Sequence, residues 1–288
     1  MKLVRTNRES IFLLLLSLAI GVSGCSRRVT QSISQVETPH AVTSPSPDPT
    51  PAKPLQARPI ENSWPKKYTF ATKSIAENMG YELSAKYPQV VPAPTLELRR
   101  FNRWIKKRVL GHAARFRRIA TAERRDKKRK RPPIEEGLEL DFIVYYSDQK
   151  LISMRLTHRV MEAGQMHPIN YYETINYDLK IGRSLRVHDL FRRGYLRAFS
   201  EYSRKYLADT YDLAPDDWMK RGTAPRSYNF PNWNVVPDGI LLSFEDYQVN
   251  SHSFGQPEFV VPYSVLNRVL NRNSLANRFL RRRDKLAR

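Results

Sequence analysis

Tyr81, Leu83, Ala85 and Tyr87 alternate with Glu82, Ser84 and Lys86. That period of two predicts a strand with one buried face, ended by Pro88, Pro92 and Pro94. After Thr95, a residue suited to cap a helix, the period changes. Leu98, Phe101, Ile105, Val109, His112, Phe116 and Ile119 recur at three and four residues, the spacing of one apolar helix face. Arg99, Arg100, Arg103, Lys106, Lys107, Arg117 and Arg118 fill much of the remaining surface. Residues 124–133 carry no apolar face and read as an exposed loop or a frayed helix end.

Alternation returns in a hairpin. Leu138, Leu140, Phe142, Val144 and Tyr146 mark one arm, and Ile152, Met154, Leu156, His158 and Val160 the other, about a turn at residues 147–150. A third strand is expected over Asn170 to Leu179. A helix follows from about Gly194 to Ala208, with Asp189 read as a helix or turn cap. Asp238-Gly239 signals a tight turn before a strand from Ile240 to Phe244. Pro262 opens a last helix with Leu266, Val269, Leu270, Ala276 and Leu280 on one side. Antiparallel strands broken by single helices define an α+β fold: a sheet with helices packed on one side, preceded by a smaller strand–helix module.

The first 63 residues have no such pattern. Lys2, Arg5 and Arg8 precede an apolar run from Ile11 to Ile20, then Val22, Ser23, Gly24 and Cys25. The run is about half the length that spans a bilayer, and the order is that of a cleaved secretory signal. Val22-Ser23-Gly24-Cys25 resembles a bacterial lipobox. The resemblance implies cleavage before Cys25 and lipidation of its thiol, the only one in the chain. Pro39, Pro45, Pro47, Pro49, Pro51, Pro54 and Pro59 follow among small polar residues, a composition that cannot bury a core and reads as a disordered tether. The expected organisation is a signal peptide at 1–24, a lipidated tether at 25–63, the small module at 64–134, the α+β domain at 135–272 and a basic tail at 273–288. The expected location is the envelope. In a Gram-negative cell that means the outer membrane facing the periplasm, and otherwise the outer face of the cytoplasmic membrane.

Net charge is +21, from 49 Lys and Arg against 28 Asp and Glu. Alone this would suggest nucleic acid; export makes nucleic acid a poor candidate. The exported alternatives are the membrane itself, anionic envelope polymers, or a secreted or envelope protein. Between Arg99 and Arg131 stand 16 Lys and Arg with only Glu123 and Asp126 to oppose them. Arg99, Arg100, Arg103, Lys106, Lys107, Arg125, Lys127, Lys128, Arg129, Lys130 and Arg131 are therefore candidate contacts for an anionic polymer. The plain alternative is a solvated face.

No catalytic motif, cofactor fingerprint or metal-ligand spacing is present. His158 and Glu162 would span about 13 Å on a strand, too far for one ion. His158 reads as an ordinary strand residue and His112 as a core histidine on its helix face. His167-Pro168 lies between strands, where binding loops occur; it either shapes the connection or contacts a ligand. His167, Pro168, Tyr171 and His252 form the candidate ligand loop. A hydrolase or deacetylase would pair His167 with Asp178 or Asp189 as acid and base. Trp218 and Trp233 read as core, although exposed aromatic rings would suit a glycan.

The second half carries an ordered set of landmarks: His167-Pro168, Asn176-Tyr177-Asp178-Leu179, Gly182, Asp189-Leu190-Phe191, Asn229-Phe230, Trp233, Tyr247-Gln248-Val249, Gly255 and Val261-Pro262-Tyr263-Ser264. Over about residues 135–270 this resembles the RsiV-like domain of unknown function. That family occurs at the extracellular end of an anti-sigma factor, in lipoproteins and beside peptidoglycan deacetylase domains. The resemblance implies a binding or sensing domain without an active site. The lysozyme binding of the family's namesake would be opposed here by like charge. A lipid anchor in place of a transmembrane signalling helix argues against an anti-sigma mechanism. A structural linker from membrane to wall through residues 99–131 is a further reading.

Overall fold

The computed structural model describes residues 68–125, 136–162, 165–211, 213 and 216–279. The candidate lipidation residues Val22 to Cys25, the expected tether, and Lys127, Lys128, Arg129, Lys130 and Arg131 lie outside these residues. Strands β1 (Thr69–Asn78), β2 (Glu82–Val91), β3 (Gly137–Ser147), β4 (Leu151–Met161), β5 (Ile169–Asp178) and β6 (Arg183–Ser184) form one sheet in sequence order. Helix α1 (Leu96–Arg125) separates β2 from β3. It provides the crossover that lets those two run parallel, while every other pair is antiparallel. The expected small module and the expected larger domain thus contribute strands to a single sheet.

The α1 face is the one that the periodicity marked. Phe101, Ile105 and Val109 are fully buried against Ala85, Leu140, Ile152, Met154, Leu156 and Ile175. Thr95 caps the helix, its Oγ1 accepting from the Leu98 amide at 3.3 Å. Strand β2 continues through Pro88, contrary to expectation. β3 pairs with it only as far as Ala85, so beyond that point one edge is unpaired and a proline is tolerated. Asn102 of α1 occupies that edge in place of a strand. Its Oδ1 accepts from Val90 N at 2.8 Å and its Nδ2 donates to Val90 O at 3.0 Å.

The α+β class holds, with a second sheet added. Helices α2 (Val187–Leu190), α3 (Tyr195–Tyr211) and α4 (Asp217–Gly222) lead into β7 (Trp233–Val236), β8 (Gly239–Ser243) and β9 (Glu258–Pro262), followed by α5 (Tyr263–Leu266). This three-stranded sheet and α3 share a core containing Phe199, Leu207, Trp233, Ile240, Leu242, Phe259 and Val261. Its other face meets the large sheet through Tyr145, Val236 and Leu241. The expected last helix is interrupted after α5, and helix reappears only at residues 277–279; Leu280 lies outside the described residues. Backbone bonds Asn271 N to Leu190 O and Arg192 N to Val269 O, both 2.7 Å, draw the following chain into a bridge between Phe191 and Leu270. Arg278, placed in the basic tail by the sequence, is held in the fold by Asp148 at 2.7 Å and lies over the Phe279 ring.

Candidate functional site

Two constellations of side chains stand out from this frame. The first forms where the connection into β5 meets the loop between β8 and β9. His167 and His252 stack with ring centroids 4.2 Å apart and planes 12° from parallel. Tyr247 continues the stack against His252 at 5.6 Å, and its hydroxyl lies 3.2 Å from His167 Nε2. Tyr247 holds φ at +60°, a left-handed backbone that a bulky residue seldom adopts. Trp218 of α4 fixes that loop by donating its indole N–H to Tyr247 O at 2.8 Å. Behind the rings, His252 Nδ1 lies 3.3 Å from the buried Asp246, whose carboxylate also accepts from Asn170 N at 3.0 Å. The rings face outward: Tyr247 is 43% exposed, Trp218 36% and the adjoining Met166 94%.

The structure therefore brings His167 and His252 together from positions 85 residues apart in the chain, as the candidate ligand loop requires. Pro168 adjoins them through its carbonyl, 3.4 Å from His167 Nδ1. Tyr171 is not in the stack. It lies in β5 opposite His158, and burial together with Glu162, Glu245 and Asp246 pushes its hydroxyl pKa up. Sequence reasoning missed Tyr247, whose backbone strain has no signature in composition. It placed Trp218 in the core, where only Trp233 belongs. The acid–base pairing of His167 with Asp178 or Asp189 does not form. Asp178 closes the far end of β5 and accepts from Ile181 N at 2.9 Å. Asp189 is a cap, accepting from Arg186 N at 2.6 Å, and the hydrogen-bonded Arg183 guanidinium holds its carboxyl below the usual range.

The second constellation joins α1 to β4 and β5. His112 Nε2 lies 2.8 Å from Glu173 Oε2, and His158 Nε2 lies 3.8 Å from the same oxygen. The other oxygen, Oε1, accepts from Arg108 Nε at 2.5 Å. Burial pushes His158 down. Burial alone would raise Glu173, but the two imidazoles and Arg108 outweigh it and hold the carboxyl well below its ordinary value. On the outer face of α1, Arg99, Arg103, Lys106 and Lys107 are exposed. Among the described residues, none of these four has a carboxylate partner. Arg100 is half-buried and Arg125 ends the helix.

The architecture defines a mixed α/β domain, a six-stranded sheet with helices and a second three-stranded sheet. Within it, residues 188–264 match a family described as a protein of unknown function, DUF3298. Two solved members of that family share the fold, both at 15% identity. One, from Bacteroides fragilis, gives a TM-score of 0.55 over 74% of this chain and 97% of its own. The other, from Pseudomonas aeruginosa, gives 0.51 over 70% and 95%. The peptidoglycan-N-acetylmuramic acid deacetylase PdaC of Bacillus subtilis is 30% identical over 137 residues, 46% of this chain; the chain spans only 29% of that enzyme. Trp218, Tyr247 and His252 fall inside the matched 188–264; His167, His112, His158 and Glu173 do not.

Proposed function

We propose that this protein is a lipid-anchored envelope protein that binds peptidoglycan without modifying it. The glycan strand would be taken up on the ring surface of His167, Tyr247 and His252. The carrying observation is that surface: three stacked, outward-facing rings fixed from behind by Asp246 and Trp218. Sugar rings present apolar C–H faces with hydroxyls at their edges. A flat aromatic and imidazole surface offers contact area with polar atoms at its rim, the composition expected of a ligand site. A surface ordered before binding also lowers the entropic cost of association. The similarity to an enzyme named for peptidoglycan supports the substrate class. Peptidoglycan carries carboxylates, and the exposed cations of α1 complement them. The lipobox at Val22 to Cys25 supports the anchor, and the proline-rich residues after it support a tether to the wall.

Cosedimentation of the purified chain with peptidoglycan sacculi tests this reading. Tyr247→Ala and His167→Ala, both at exposed positions, should each weaken retention about tenfold, equivalent to about 1.4 kcal/mol. Failure of the parent chain to sediment at low salt, or equal retention by parent and both variants, would overturn it.

A further inference from the structure

His112, His158 and Glu173 come from α1, β4 and β5, and the ring-surface reading uses none of them. Their three ligand atoms lie within 4.8 Å of one another. The two imidazoles meet edge to face, centroids 4.6 Å apart, so both Nε2 atoms and Glu173 Oε2 converge on one small volume. His158 is mostly buried, and its Nε2 has no hydrogen-bond partner. A buried polar atom without a partner is costly in a native fold and calls for an explanation. One tetrahedral ion supplies it. Zinc binds imidazole nitrogen and carboxylate oxygen at about 2.0–2.2 Å, which puts tetrahedral ligand atoms about 3.3–3.5 Å apart. The separations of 2.8 and 3.8 Å from Glu173 Oε2 bracket that distance, so small side-chain adjustments suffice.

We propose that His112 Nε2, His158 Nε2 and Glu173 Oε2 bind one zinc-class transition-metal ion, with a fourth position left to water. Two imidazoles and one carboxylate suit such an ion; calcium and magnesium want six or more oxygens. Arg108 plays the outer part, engaging Oε1 so that Glu173 presents a single oxygen and a fixed orientation. His112 is the most accessible of the three, its side chain 29% exposed, and provides the route of entry. The ion would tie the middle of α1 to β4 and β5 and so clamp the crossover helix onto the sheet. The competing account is a carboxylate merely shared by His112 and Arg108, and it holds no metal.

The full chain, prepared in detergent without a histidine tag, is loaded with zinc sulfate and dialysed against metal-free buffer. Zinc content and the thermal unfolding midpoint are then measured. One retained zinc per chain is expected, with a midpoint raised by zinc and not by magnesium. His112→Gln and His158→Gln should each weaken zinc binding at least about tenfold, while His252→Ala retains it. Should His158→Gln fail to fold, His112→Gln, at the more accessible position, decides alone. A parent that retains no zinc overturns the proposal. So does equal retention by parent and His112→Gln, or loss of the ion in His252→Ala with retention in His112→Gln.

Discussion

Glu245 and Asp246 are adjacent acids, both enclosed by the fold but held by different partners. The Asp246 side chain is almost wholly enclosed; it accepts from Asn170 N, and His252 Nδ1 lies 3.3 Å away. Glu245 is pushed up by burial, only partly offset by hydrogen bonds from Asn232 Nδ2 at 3.0 Å and Tyr172 N at 3.3 Å. A carboxyl whose folded pKa exceeds its unfolded value of about 4.3 favours folding in its protonated form. That contribution is complete below about pH 4.3 and is lost as pH rises through the folded pKa. Glu245→Gln keeps an acceptor for both donors and removes the charge. It should therefore be more stable relative to the parent at pH 7 than at pH 4, as read by urea unfolding; a constant or reversed difference would refute the argument. Gly239 shows how far one residue is legible. Asp238-Gly239 correctly marked a turn before β8. The need for glycine, however, is a neighbouring strand: a Cβ there would stand 2.1 Å from the Val261 carbonyl oxygen, and no local pattern encodes that approach.

At the level of elements, legibility followed the strength of the periodic signal. α1, β3, β4 and β5 were readable because each presents one apolar face over ten or more residues. β1 was not. It is an edge strand, largely exposed, with Phe70 and Ile75 as its partly buried apolar contacts to the core, and it is held by backbone pairing to β2. β7 and β9 are only four and five residues long; β7 pairs with β8 across the tight turn at residues 237–238, while β9 returns to β8 only after the long loop over residues 244–257. The outer face of α1 bears its own prediction. Replacing Arg103, Lys106 and Lys107 by Glu should leave the far-UV circular dichroism unchanged and release the protein from sacculi at lower salt. Each cation near an anionic surface contributes about 1 kcal/mol, screened beyond about 8 Å at physiological salt. Unchanged retention would show this face to be simply solvated.

Across the whole molecule, the joint between the two sheets carries a buried polar network beside Tyr145, Val236 and Leu241. Buried Asn234 donates to Ser153 Oγ at 3.0 Å and Met154 O at 2.9 Å, and Asn176 bridges Val235 N and Trp233 O. Arg155 of β4 pairs with Glu258 of β9 and lies over the Tyr172 ring at 3.9 Å. Breaking a buried pair strands the remaining charge, so Arg155→Met should cost about 3–5 kcal/mol in urea unfolding. Glu258→Gln strands the buried Arg155 guanidinium in turn and should also destabilise, even though its amide oxygen can still accept from Ser243 and Tyr145. Arg155→Met combined with Glu258→Gln leaves no unpaired charge and should cost less than the sum of the two single losses; strictly additive losses would contradict the stranded-charge explanation. The alternation of Ile152, Met154 and Leu156 left Ser153 and Arg155 on the opposite, solvent side of a half-buried sheet. They are buried because β7, β8 and β9 cover that side.

The sequence by itself determined the helix-and-strand periods, the outward cations of α1 and the class of fold. Those properties rest on neighbours three, four or two residues apart. Only the tertiary structure decided that both faces of the large sheet are covered. It alone stacked His167, Tyr247 and His252, and brought His112, His158 and Glu173 to one point. Each of these depends on contacts between residues tens of positions apart, which strand pairing and the α1 crossover create and which no local period records.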